Sequence, residues 1–470
     1  MCYPANFCFG QFINPGGTYG PAPRKCEKPI FRYLTAAFGS ALIVAVYSIV
    51  DSAMVGQYCG PAGVAALATV APVWNIIYSL GLLFGIGGAV LMSTARGSGD
   101  PKRGDRLFTA ALIGAGVTAI LLWAALFLWD APMLRLFGAD DSLLPLARAY
   151  LLPVKIAAPL FLFGQCLAAF LRNDNAPGRA TAAVLSGGIF NIVGDYLLVF
   201  VLDLGIFGAG LATALGQVLS VCILLRHFFT KKCTLRLARP RGLMSSLGQV
   251  VSTGFSTFFI DIAMGLLSLM FNNQIMRWAG ADALAVYGVI ISVNTLVQSC
   301  AYGVGQAAQP LISVNFGARQ AERIRQTFHW SLLTIGGLSL LWTGLTMAVP
   351  LALVRFFMDA TPAVLEIAPL ILRRYFLSFL LLPLNIYSTY YFQAILKPMV
   401  SFWVSVLRGL LLSGCLIFAL PLLWGGNALW WAMPITELAV AIPVIALMLR
   451  AQRQLPKRWQ EESAPPSEQL

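Results

Sequence analysis

Residues 191–217 read NIVGDYLLVFVLDLGIFGAGLATALGQ. Two apolar runs flank a glycine-bearing turn. With their neighbours on either side, each reaches the roughly twenty residues that cross a bilayer core as a helix. Asp195 stands inside the first run. Asn191 lies four residues before it, a spacing that puts both side chains on one helix face, one turn apart. Thr213 follows beyond the turn. A carboxylate in a long apolar segment is expensive and marks a functional site by default.

The same pattern runs from end to end. The 470 residues are 58% hydrophobic and only 11% charged, against roughly 25% charged in soluble domains. Apolar runs fall near 34–57, 69–94, 107–129, 149–171, 180–202, 206–228, 249–274, 285–313, 327–350, 366–395, 399–424 and 428–450. Continuous apolar runs, rather than short alternating strands, predict an all-α integral membrane protein and not a β-barrel. The net charge of +13 raises the question of nucleic acid, and its placement answers it. With the N-terminus inside, 24 of the 32 Lys and Arg fall on the inner side and six on the outer, with Lys155 and Arg408 within spans. That bias predicts both termini in the cytoplasm of a plasma (inner) membrane protein. The basic excess is topology, and no nucleic-acid partner is expected.

The nine cysteines match no metal spacing. Cys166, Cys222, Cys300 and Cys415 sit in spans as small apolar packers. Cys2, Cys8 and Cys26 fall in a lead (1–28) rich in Gly, Pro and Asn. This lead has no signal-peptide core and is expected to be disordered.

An internal repeat organises the spans. FGIGGA (84–89) returns as YGVGQA (302–307). At the same offset Gly99 of ARGSGDPKR matches Gly317 of VNFGARQAER, and Ala65 matches Ala283. Further on, LRLFGAD (134–140) resembles VRFFMDA (354–360), and Pro177 matches Pro398. Two lobes follow, 29–228 and 249–450, joined by a cytoplasmic linker (229–248) and ending in a tail (451–470). Each holds six spans, an even number, so the repeat is parallel. The expected architecture is twelve transmembrane helices in two six-helix bundles, related by a pseudo-two-fold along the membrane normal. That is a plan of secondary transporters, with the substrate cavity between the halves.

Several stretches carry a family resemblance. YSIVDSAMVGQ (47–57), GVAALATVAP (63–72), FLRNDNAPGRA (170–180), NIVGDYLLVF (191–200), GIFGAGLATALGQ (205–217) and QAAQPLISVNFGA (306–318) together resemble the multidrug and toxic compound extrusion family, MATE. The nearest branch is the bacterial DinF-like and drug-exporting one. The resemblance covers the chain after residue 29 and implies drug export coupled to an ion. It also implies that Asp51, Asn191, Asp195 and Thr213 stand at the coupling-ion site of the N-terminal lobe.

The residues support that chemistry. Asp51 and Asp195, the Asn191 amide and the hydroxyls of Thr213 and Tyr47 make an oxygen-rich set. Such a set suits Na⁺, which Asp51, Asn191, Asp195 and Thr213 would hold. Equally, two converging buried carboxylates cannot both stay ionised cheaply, and the pair becomes a proton acceptor. At matching register in the second half lies Leu412–Leu416, with no carboxylate, so folding symmetry alone does not demand Asp195. Asp261 in the seventh span, Glu437 in the last and Arg408 between them are candidates for the substrate cavity. Arg408 is expected to pair with one of the acids.

The reading is a non-enzymatic antiporter, coupled to H⁺ or Na⁺, exporting organic, cationic and lipophilic compounds by alternating access. No cofactor is expected, and the chain is expected to act as a monomer. A lipid-linked saccharide flippase is the alternative. Its cavity should be strongly basic, whereas these spans carry more acids than bases. No phosphate-binding glycine loop is present, since Gly99 to Gly104 is followed by Asp105. The two histidines, His227 and His329, lie at span ends with no zinc motif.

Overall fold

The computed structural model describes residues 27–231, 233–239, 242–357 and 361–461. The side chains of Pro61, Asp261, Ala281, 456–461 and most of 27–49 fall outside the described set. So do the lead 1–26, with its three cysteines, and residues 462–470. The described residues are helical throughout, with short connections and no strand.

The first rods are α1 (Glu27–Gly97), broken at Gly60 with φ 64° and ψ −159°, then α2 (Pro101–Leu128) and the short α3 (Asp130–Leu136). α4 (Leu144–Asn173), α5 (Pro177–Asp195) and α6 (Gly205–Leu225) complete the first set, α5 running on through a π-helical turn at Tyr196–Val201. The second set is α7 (Leu243–Trp278), α8 (Gly280–Gly317), α9 (Ala321–Ala348), the short α10 (Pro350–Phe357), α11 (Pro362–Phe376), α12 (Leu382–Ala394), α13 (Pro398–Val406), α14 (Leu412–Trp424) and α15 (Ala432–Glu461). A π-helical turn, Leu407–Leu411, joins α13 to α14. Among the described residues eleven helical stretches are long and apolar enough to cross a membrane, beginning with Ala62–Gly97. The part of α1 before Gly60 is the twelfth rod. Their bounds fall within a few residues of the apolar runs, because loss of hydropathy and the Gly and Pro breakers coincide at the ends. α7 starts at Leu243, inside the segment expected to be linker.

Two features differ from the sequence expectation. The LRLFGAD and VRFFMDA stretches, expected as connections, overlap the short helices α3 and α10. The repeat register is also slightly longer than the glycine matches suggest. Positive-φ residues recur at a nearly constant interval, one residue longer for the third pair: Gly60 with Gly280, Gly99 with Arg319, Asn175 with Leu396, and Gly205 with Gly425. Gly99 thus corresponds to Arg319 and not to Gly317. The turns hold the true register because backbone handedness, unlike residue identity, cannot drift along the chain without breaking the helix end.

The two sets meet by close backbone approach. A Cβ on Gly97 would lie 2.1 Å from the Val314 carbonyl oxygen, and one on Gly317 would lie 2.0 Å from that of Thr94. Gly87 and Gly254 meet likewise, against the carbonyls of Val250 and Leu83. Both approaches lie toward the end of the molecule where α1 finishes and α7 starts. Without a hydrophobic driving force between helices in lipid, such small-residue contacts hold membrane bundles together. α7 lies between the sets there, since Thr253 O also accepts a bond from Gln393 Nε2 of α12 at 3.2 Å.

A candidate cation site in the first bundle

The α5–α6 pair sets the geometry. A Cβ on Gly187 would lie 2.8 Å from the Gly216 carbonyl and 2.0 Å from Ser220 Oγ, so only glycine admits this spacing. One turn on, the close spacing brings Asn191 onto Thr213, Nδ2 to Oγ1 at 3.0 Å. Thr213 spends its own proton on the Ala209 carbonyl at 3.0 Å. Its oxygen is therefore the acceptor, which fixes the amide nitrogen of Asn191 on that side. The same nitrogen donates to Asp195 Oδ1 at 3.3 Å. Asp51 of α1 accepts from the Tyr150 hydroxyl of α4 at 3.0 Å. α1, which carries Asp51, packs against α5, which carries Asp195.

The side chains of Asp51, Asn191 and Asp195 are all buried. Asp51 Oδ1, Asn191 Oδ1 and Asp195 Oδ2 have no hydrogen-bond partner among the described residues. An unsatisfied buried acceptor is costly, and three together form an acceptor-only set that a cation or a proton satisfies. Beside them lies a small cavity of about 50 Å³, lined by Tyr47, Asn191, Thr213, Gly164, Gly187 and Gln217 among others. The structure thus brings together all five residues singled out in sequence. It adds Tyr150, which sequence alone did not mark: its partner is on another helix, and a tyrosine in a span looks like ordinary packing.

Comparison with known proteins bears on what such a bundle does. A family model described as MatE matches residues 36–197 and again 255–416, one match in each half of the chain. This chain belongs to the MatE family. The multidrug export protein MepA of Staphylococcus saprophyticus is 24% identical over 414 residues, covering 87% of this chain and 91% of that protein. MepA of Staphylococcus aureus is 24% identical over 435 residues, covering 90% and 95%. An outward-facing multidrug resistance MATE family transporter aligns with a TM-score of 0.84 at 19% identity, covering 92% of this chain and 97% of that one. A transporter of the MOP superfamily from Pyrococcus furiosus, whose description reports reversed polarity of its binding pocket, aligns with a TM-score of 0.84 at 19% identity, covering 92% and 96%.

The fold is therefore the MatE one: twelve transmembrane helices in two six-helix bundles related by a pseudo-two-fold along the membrane normal. The chain is a multi-pass membrane protein of a family of transporters rather than enzymes, and the curated relatives it resembles are multidrug export proteins. The flippase alternative is not favoured.

The other sequence candidates lie in the second half. Arg408 Nε meets Glu437 Oε1 at 2.7 Å, and Asn385 Nδ2 donates to Glu437 Oε2 at 2.7 Å. Arg408 and Glu437 are 5% and 0% exposed, so a transported compound reaches them only if the pair opens. Asp261 falls on α7, its side chain outside the described set.

A second cluster, invisible in sequence, joins residues far apart in the chain. Asp174, His227 and Cys233 bring ligand-type atoms within 4.8 Å of one another. Arginines already occupy this group. Arg96 donates to Asp174 Oδ1 at 3.1 Å, and Arg179 faces His227 Nδ1 at 2.7 Å. A guanidinium only donates, so Nδ1 accepts, and Nε2 carries the hydrogen to Asp174 Oδ2 at 2.7 Å. Asp174 also accepts the Thr234 backbone N–H at 3.0 Å and the Thr234 hydroxyl. The cluster ties the segment after α6 to the ends of α1 and α4.

Proposed function

We propose that this MatE chain is an antiporter, exporting organic, cationic and lipophilic compounds in exchange for H⁺ or Na⁺ bound at Asp51, Asn191, Asp195 and Thr213, with Tyr47 beside the site. The observation that carries this reading is the trio of buried oxygens on Asp51, Asn191 and Asp195 that have no partner among the described residues. They are buried acceptors in a membrane interior, and a cation is what would satisfy them.

The excess of Lys and Arg on one side puts both termini in the cytoplasm. The Gly97–Gly317 and Gly87–Gly254 approaches then lie at the cytoplasmic end, so this is the state closed to the cytoplasm. Lobes 29–228 and 249–450 rock about the cavity between them, the lead, linker 229–248 and tail 451–470 staying cytoplasmic, and one chain is the working unit. Cation binding shifts the lobe equilibrium only by its differential affinity for the two states. Each charge crossing with the potential releases roughly 2.3 kcal/mol per 100 mV, enough for a tenfold to hundredfold gradient of a neutral compound. Reconstituted vesicles with separately imposed H⁺ and Na⁺ gradients test the reading. A gradient of one ion should drive ethidium transport in wild type and fail to drive it in Asp51→Asn and Asp195→Asn. Normal transport by both variants would remove the site assignment.

A further inference from the structure

The two bundles are built on one plan, yet their polar interiors differ in a specific way. At the register set by the turns, Gly164, Gly187 and Gln217 correspond to Asn385, Arg408 and Glu437. The first two follow the offset that pairs Asn175 with Leu396, and the third follows the one that pairs Gly205 with Gly425. In the first bundle Gly164, Gly187 and Gln217 all line the small cavity beside Asn191 and Thr213. In the second bundle the equivalent space holds the Asn385–Arg408–Glu437 cluster. The same three spans, the fourth, fifth and sixth of each half, supply both.

The chemistry is parallel too. In the first bundle an asparagine amide donates to one oxygen of Asp195, and the other oxygen has no described partner. In the second an asparagine amide donates to one oxygen of Glu437, and the other oxygen takes Arg408. We propose that Arg408 is a tethered counter-cation that plugs a cation-binding cavity in the second bundle, a cavity whose free ligand would be a small guanidinium-like cation. The first bundle then carries the cavity of the pair that is open to a free cation, and this consequence alone rests on the reading of Asp195 as a coupling residue.

Three observations separate a plug from a structural ion pair. Arg408 Nη2 and Asn385 Oδ1 are buried without partners among the described residues. A pair kept for stability has its remaining donors and acceptors satisfied, and well-packed apolar residues would hold the bundle at least as well. Arg408 also sits in the π-helical turn Leu407–Leu411, where an extra residue widens the helix. Lastly, its counterpart Gly187 is one of the residues that line the small cavity of the first half, so the arginine stands where the other half keeps that cavity.

The test uses the full chain, purified in detergent, with Asp51 and Asp195 already changed to Asn so that the first bundle contributes no cation dependence. Arg408→Gly should lower the thermal midpoint. Millimolar guanidinium should restore it. Equal tetramethylammonium, which has no N–H to donate, should not. Adding Glu437→Gln should restore the midpoint and abolish the guanidinium dependence. If guanidinium protects Arg408→Gly no better than tetramethylammonium, or if Arg408→Gly is as stable as its parent, the plug is refuted. If Arg408→Gly fails to accumulate, the Arg408→Gly/Glu437→Gln chain decides. Its recovery shows that the bare Glu437 charge was the defect, and its failure shows that the residues are structural. Loss of transport coupling at Asp195 leaves this stability test unaffected, so the two readings fail separately.

Discussion

A close backbone approach between the bundles gives a mechanical prediction. Gly317→Ala places a methyl 2.0 Å from the Thr94 carbonyl oxygen. Carbon and oxygen come no nearer than about 3.3 Å in the tightest helix contacts, so α1 and α8 must part locally by roughly 1.3 Å. Overpacking of this kind costs about 1–3 kcal/mol. The strain exists only while this end is shut. It is therefore a differential energy between the two lobe arrangements and shifts their ratio by roughly fivefold to more than a hundredfold toward the state open at this end. Gly97→Ala, facing Val314 at 2.1 Å, should act the same way. Spin-label distances between the ends of α1 and α8 would report the shift: a second, longer distance should appear in each variant. A single unchanged distribution, with thermal stability also unchanged, would refute the idea that this crossing is the closed gate.

Three other outcomes follow from the geometry. Tyr150→Phe removes the hydroxyl that satisfies Asp51 Oδ2. A hydrogen bond to a charged group is worth roughly 1.5–3 kcal/mol, so the half-saturating concentration of the coupling cation should fall about tenfold or more with the fold intact; an unchanged value excludes Tyr150 from the site. Asp130, in α3 between spans, is clamped by Arg148 at 2.6 Å and Lys155 at 2.7 Å. Burial works against its charge, but hydrogen bonds from Arg148 and Lys155 outweigh burial and hold its carboxyl below the usual range. Its stabilising effect is therefore complete above the unfolded value of about 4 and is lost as pH falls through the lower folded value. Asp130→Asn should lower the thermal midpoint at neutral pH, with a gap to wild type that closes on acidification; a pH-independent gap would contradict the clamp. Asp174→Asn should free the segment after α6, raising protease cleavage near Thr234 while leaving the far end of the bundle protected. Equal cleavage of wild type and variant would argue against the tether.

The spans were legible because hydropathy and helix length are tied to bilayer thickness, and Asn191 and Asp195 because an i, i+4 polar pair in a helix needs no tertiary knowledge. Tyr150 was not legible, since only the crossing of α4 with α1 gives it Asp51. Asp174, His227 and Cys233 form one cluster only because the segment after α6 folds back onto the bundle. The expected partner for Arg408 is Glu437, a choice that periodicity could not make. The repeat told the most and misled the most. Matching glycines by identity set Gly99 against Gly317, whereas turn handedness sets it against Arg319. The strict counterpart of Asp195 is indeed apolar, but the second bundle is not without charge. Its carboxylate has moved from the fifth span to the sixth, where Arg408 covers it.

The account stands or falls on whether the open oxygens of the first bundle take the driving cation. Proteoliposomes containing wild-type chain or the Asp51→Asn/Asp195→Asn variant should be given an inward H⁺ or Na⁺ gradient in turn, and ethidium movement followed by fluorescence. Exchange of one coupling cation for the singly charged ethidium moves no net charge, so a tenfold ion gradient supplies roughly 1.4 kcal/mol and sets a dye ratio of about tenfold. Wild type should concentrate dye toward that limit with one of the two ions, and the variant should only equilibrate it. Equal accumulation by both proteins would contradict the assignment of Asp51 and Asp195 as the coupling pair.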